Sequence, residues 1–238
     1  MTHFRSLATG FYMGLAAMAV TAPATLAAPV FHPAGLNPGD TYRLAFLTSD
    51  RTDALSPDIN FYNQFVTDLA NSPFADSTAQ IAHNLSWKAI ISTETIDARD
   101  NTGTNPNNGA GVPIFLLDGR KLADNYADFW DGSLDTTFDS VENGSGVLPF
   151  GEPVWTGTLA DGTSSPFGFV GFPLGSITYG FNDVTDGAWV ESVDFLHTFN
   201  PGRLFAVSGI IWVDEPAPLS LLALGLVGLA LTRRKRAA

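Results

Sequence analysis

Residues 112–122 read V-P-I-F-L-L-D-G-R-K-L, from Val112 to Leu122. An uncharged apolar run, Val112 to Leu117, meets Asp118-Gly119 and then resumes. That pattern predicts a strand entering a tight hairpin turn, because Asp-Gly readily supplies the positive φ angles such a turn needs. Lys121 to Trp130 then forms a short return strand or a helix. Outward from here, equally short apolar runs lie between clusters of Gly, Pro and Asn, and each is expected to be a strand. They are Tyr42 to Thr48 (Y-R-L-A-F-L-T), Leu85 to Ser92 (L-S-W-K-A-I-I-S), Val154 to Thr158, Phe167 to Phe172, Ile177 to Phe181, Ala188 to Val190, and Leu204 to Val213.

Helical spacing stands out in one place. Ser56-Pro57-Asp58 offers a capping hydroxyl, a proline at the first helical position and an acid near the positive end of the dipole. Ile59, Tyr62, Val66, Leu69 and Ala70 then recur on one face, and Asn71-Ser72-Pro73 stops the run. The stripe is read as core. The expectation is therefore an α+β, β-rich fold: a single compact domain over residues 41–213 with short antiparallel strands, one main N-terminal helix and long loops. Its first and last strands are expected to pair antiparallel and join the two ends of the domain.

Composition narrows the chemistry. The formal net charge is −12, and only 15% of residues are charged. Between Asp40 and Val213 seven Lys and Arg face twenty-two Asp and Glu. Such a body repels phosphate backbones, which argues against nucleic acid as a partner. It tolerates hard cations such as Ca²⁺, whose ligands are carboxylate oxygens. Cysteine is absent, so no disulfide supports the fold.

The two ends read as sorting segments. Residues 1–27 look like a secretory signal peptide: Arg5, an uncharged apolar stretch from Leu7 to Val20, and small residues for cleavage. Thr25-Leu26-Ala27 is the preferred cleavage site and Ala22-Pro23-Ala24 the rival. Residues 28–40, rich in Pro and Gly, read as a linker. Residues 214–238 have three parts in order: an acidic Pro-bearing motif (Asp214, Glu215, Pro216), an uncharged apolar stretch spanning 218–232, and a basic end of Arg233, Arg234, Lys235 and Arg236. As a helix the 15 residues of 218–232 would extend about 22 Å, short of the ~30 Å hydrocarbon core. The segment is expected to act as a transient transmembrane anchor, with its basic end held in the cytoplasm.

Together with an export signal, that order resembles the PEP-CTERM sorting signal. The departure is Asp214, where the family usually has Pro; Glu215-Pro216 matches. The resemblance implies signal peptidase and an exosortase as partners, anchoring in the inner membrane of a Gram-negative-type bacterium before processing, and delivery to the outer envelope or extracellular matrix. The body resembles a second family. W-K-A-I-I-S (Trp87 to Ser92), V-P-I-F-L-L-D-G-R-K-L (Val112 to Leu122) and V-W-T-G-T-L-A-D-G-T (Val154 to Thr163) are similar to segments of the cysteine-free, endostatin-like branch of the C-type-lectin-like fold. That resemblance implies the fold. It does not extend to sugar binding through calcium, because neither E-P-N nor Q-P-D occurs; Phe181-Asn182-Asp183 is similar to the family's W-N-D element, with Phe in place of Trp.

Candidate sites are sparse. Trp155 and Trp189 lie near Gly-rich turns and are the expected ligand-stacking tryptophans, whereas Trp87 and Trp212 sit in apolar strands and are expected in the core. Asn182 and Asp183 are the candidate metal ligands, for Ca²⁺; no other cofactor is expected. His197, in F-L-H-T-F, reads as a hydrogen-bonded structural histidine. Asp97/Asp100 and Asp128/Asp131 are the closest carboxylate pairs, as a secreted hydrolase would need, yet their flanks read as turns. The sequence thus points to a non-catalytic binding or structural domain, with envelope polysaccharide as the expected ligand. A carboxylate-dependent hydrolase and a calcium-stabilised module are the alternatives.

Overall fold

In the computed structural model, residues 32–75, 86–144, 151–192 and 195–214 are described. The expected signal peptide, the apolar stretch and basic end of the tail, and Glu215 and Pro216 lie outside them. The chain is mixed α+β and β-rich.

The strand Thr41–Leu47 (β1) is the axis of the larger sheet. It is followed by α1 (Ile59–Ala70), β2 (Trp87–Ala89), the single-turn helix α2 (Ala98–Asn101), β3 (Ile114–Leu116), β4 (Lys121–Ala123) and a second single turn, α3 (Tyr126–Phe129). Then come β5 (Pro153–Trp155), β6 (Ser176–Phe181), β7 (Phe195–His197), β8 (Phe205–Ser208) and β9 (Ile211–Trp212). The larger sheet has the order β2-β8-β1-β3-β4, with β9 also on β1; β5-β6-β7 form the smaller one. As expected, the ends meet: β1 pairs antiparallel with β8, Ala45 opposite Val207, and with β9, Thr41 opposite Trp212. One pairing departs from the antiparallel expectation. β1 and β3 run parallel, because α1 and β2 form the crossover between them.

Both faces of β1 are covered, which explains a strand apolar at nearly every position rather than alternating. Tyr42, Leu44 and Phe46 face a core shared with Ile59, Tyr62 and Val66 of α1, and with Trp155, Ile177 and Tyr179. Ala45 and Leu47 face a second core containing Phe129, Trp130, Phe138, Trp189 and Phe205. Arg43, on that second side, is only 7% exposed. Burying a guanidinium without an ion pair is costly, so its N–H groups need acceptors, and four of the five find one here. Nε donates to Tyr126 Oη at 2.8 Å, Nη1 to the carbonyls of Thr102 (3.0 Å) and Ser208 (2.6 Å), and Nη2 to that of Gly103 (3.1 Å).

The quoted hairpin forms, with the positive φ taken by Gly119 alone and not by Asp118. Leu116 N–H donates to Arg120 O, Gly119 N–H donates to Leu116 O, and Gly119 has φ +89°. The ambiguous stretch after it is both things in turn, β4 and then α3. Other expectations need correction. The helix starts two residues later than Ser56-Pro57 suggests. Asp58 is its cap, accepting from Asn60 N–H at 3.0 Å, while Ser56 Oγ accepts from Asp58 N–H one step earlier. Residues 167–172 are a run of turns, not a strand. Ala188 to Val190 belongs to a 3₁₀ turn, Gly187–Trp189, capped by Asp186. Strand β7 was not anticipated.

Candidate functional site

The C-terminal end of the domain is fixed by backbone bonds. Val213 N–H donates to Asp40 O and Gly39 N–H donates to Val213 O, both at 2.9 Å. The next residue, Asp214, is exposed. Burial, aided by the nearby Asp214 charge, pushes the Tyr42 phenol up to about 12. Asp214, the first residue of the Asp-Glu-Pro run, therefore stands at the surface, beside the N-terminal strand of the sheet.

The tryptophans are distributed otherwise than expected. Trp155 is 1% and Trp189 0% exposed, so neither offers a face to a ligand. Trp155 packs edge-on to Tyr179 and donates from Nε1 to Asn200 O at 3.2 Å. Trp189 lies among Phe129, Trp130, Phe138 and Phe205, with ring centroids 5.2–6.0 Å away. Trp87 is buried, as read. Trp212 is 66% exposed, because β9 is a short strand on which alternate residues point outward and Ile211 takes the buried place. His197 also differs from expectation. It is exposed, and its ring stacks on Phe199 at 5.1 Å and 14°.

Asn182 is fully buried, and neither its Oδ1 nor its Nδ2 has a partner; Asp183, half-buried, follows it. Among the described residues no three of His, Cys, Asp and Glu gather closely enough to hold a metal ion. The carboxylate pairs serve local structure. Asp97 accepts from Ser164 N–H at 2.9 Å and Asp100 from Asn105 Nδ2 at 2.6 Å. Asp128 accepts from Asp124 N–H at 2.6 Å and Asp131 from Ser133 N–H at 2.9 Å.

Two acids have more unusual settings. Glu142, 2% exposed, borders a cleft of about 270 Å³ with Ser49, Asp50, Leu69 and Phe74. It accepts from Ser49 N–H at 2.7 Å and bonds the Ser49 hydroxyl. Burial raises its pKa, more than the Ser49 hydrogen bonds lower it. Glu152 shows the opposite balance. Burial pushes it up, but Arg203 (Nε at 2.9 Å) and Arg51 outweigh that and hold it below the usual carboxylate range.

A group of exposed apolar side chains that the sequence did not single out lies on neighbouring, largely uncharged segments. Residues 162–182 carry no charged side chain. Within and beside them Phe167 (70%), Leu174 (82%), Phe199 (63%) and Leu55 (54%) are exposed. Backbone bonds draw their segments together: Thr198 N–H to Gly175 O, Ala54 N–H to Thr198 O, and Gly171 N–H to Ala54 O. Ser176 lies opposite His197 and its Oγ donates to Phe167 O at 3.2 Å. The sequence signal was the absence of charge over that length, which a search for stacking tryptophans passes over.

No family model matches the chain, and no curated protein matches it. Among the described residues no helix is long and apolar enough to cross a membrane.

Proposed function

We propose that the chain is an exported, exosortase-sorted protein of the cell surface or extracellular matrix, with a non-catalytic binding or structural domain of C-type-lectin-like architecture. The observation that carries this reading is the tail: Asp214-Glu215-Pro216, then the apolar stretch, then Arg233 to Arg236, behind an N-terminal export signal. The exposed exit at Asp214 supports it, since a processing enzyme needs the motif clear of the fold. The acidic, cysteine-free body suits a soluble role outside the cytoplasm, resting on two packed cores in place of disulfides.

With Trp155 and Trp189 in the core, a polysaccharide ligand would have to use other surfaces. The role thus leans on assembly at the envelope more than on a sugar-stacking tryptophan pair. Fractionation of cells that carry an exosortase tests the reading. Intact mass measurement should find the body in the envelope or matrix, lacking both residues 1–27 and the basic tail. Recovery solely as an uncut chain in the inner membrane would leave a plain anchor as the explanation.

A further inference from the structure

We propose that the uncharged face formed by Leu55, Phe167, Leu174 and Phe199 is a self-association surface, whose occupant is the same face of a second copy of this chain. The largest apolar patch of a monomer is typically about 300–600 Å² and often functional, and four such side chains expose on the order of 500 Å². Two such faces closing on each other remove about 1,000 Å² from water, the threshold for a specific but weak interface.

Charge selects the partner. Twenty-two acids against seven bases between Asp40 and Val213 make two copies repel each other over most of their surface. Residues 166–182 and 195–202, which carry Phe167, Leu174 and Phe199, have no Asp, Glu, Lys or Arg, and Asp53, accepting from Leu55 N–H at 3.2 Å, stands at the edge of the face, so repulsion between two copies is least here. The aliphatic share, Leu174 and Leu55 beside the two Phe rings, suits another apolar protein face better than a sugar polymer, which stacks on flat rings. A self-complementary patch also closes into a two-fold pair and goes no further.

Position argues against lipid as the occupant. Trp212 pairs with Thr41 at the start of β1. The uncharged face lies past the other end of β1, where Thr52 pairs with Gly202 and Ala54 bonds Thr198. β1 alone separates the two places by roughly 20 Å at ~3.3 Å per residue. A chain held by its tail therefore points this face away from its own membrane. Pairing through it leaves the two C-termini at the far ends of the pair, so the dimer would link chains carried on separate surfaces or in a matrix.

The chain's lack of cysteine makes the test direct. Single cysteines are placed at 55, 167, 174 and 199 in the full chain (Leu55→Cys, Phe167→Cys, Leu174→Cys, Phe199→Cys). Exporting cells are treated with a short bis-maleimide, and Phe74→Cys, 84% exposed beyond the opposite end of α1, is the control. At least two of the four should give a band of twice the chain mass, several-fold above the control. Adding Leu174→Asp to a partner cysteine at 199 should reduce that band at least tenfold while the urea midpoint stays put. Doubling no greater than at Phe74→Cys would overturn the proposal. So would cysteines shielded from labelling in a chain that stays single, which would indicate a polysaccharide or lipid occupant. The result is independent of tail processing, which is read from chain mass in the same sample.

Discussion

The indole of Trp189 is enclosed by Phe129, Phe138 and Phe205, while that of Trp212 projects from the two-residue strand β9. Trp189→Ala should therefore cost about 3–5 kcal/mol, and Trp212→Ala should stay within about 0.5 kcal/mol, as urea unfolding of the two variants will show. Local sequence could not reveal this exchange of places. Gly187-Ala188-Trp189 reads as a surface turn until residues some fifty positions earlier close over it. Gly180 belongs to the same packing: a Cβ there would lie 1.8 Å from Trp189 O, so the smallest residue is required. Glu142 gives a pH signature. Its pKa is raised by burial, so the folded chain holds that proton more tightly than the unfolded one. Its contribution then falls as pH rises from the ordinary glutamate value through the raised one, and is flat above. Glu142→Gln should stabilise the protein at about pH 8 and leave the midpoint unchanged at about pH 3.5, compared by urea titration.

At the scale of elements, α1 is docked by more than its apolar stripe. Asn63 Oδ1 accepts from Ala89 N–H on the edge strand β2 at 3.0 Å, and its amide pairs reciprocally with that of Asn101 at 2.9 and 3.0 Å. An edge strand exposes unpaired backbone groups, and here a helix residue caps one of them. Asn63→Leu keeps the branched shape but leaves the Ala89 N–H and Asn101 Oδ1 without their partner, while Asn101 Nδ2 retains Ala89 O. It should lower stability by about 1–3 kcal/mol, with faster hydrogen exchange concentrated at β2. The α1 periodicity was legible because twelve residues carry several repeats of 3.6. Three-residue windows carry none. Phe167 to Phe172 and Ala188 to Val190 look like strands by composition, but Gly168, Gly171 and the Asp186 cap make turns of them. The turn at Asp118-Gly119 was legible because its requirement is local, a residue free to adopt φ +89°.

For the whole molecule, the fold class and the pairing of β1 with β8 and β9 could be read from the order of apolar runs. The parallel β1–β3 pairing and the surface that gathers Leu55, Phe167, Leu174 and Phe199 could not, because the first depends on the crossover through α1 and β2 and the second on turns whose composition resembles that of strands. The tail is legible in another way: the proposed sorting signal lies in the order of residue types along residues 214–238 and asks nothing of the fold. Sorting is thus the central claim, and Glu215 and Pro216 carry it. The direct measurement is the C-terminal mass and location of the Glu215→Ala/Pro216→Ala chain in exosortase-bearing cells, beside the parent chain. The variant should stay full-length in the inner membrane while the parent is cut and delivered outward. Unaltered processing and release of the variant would contradict it.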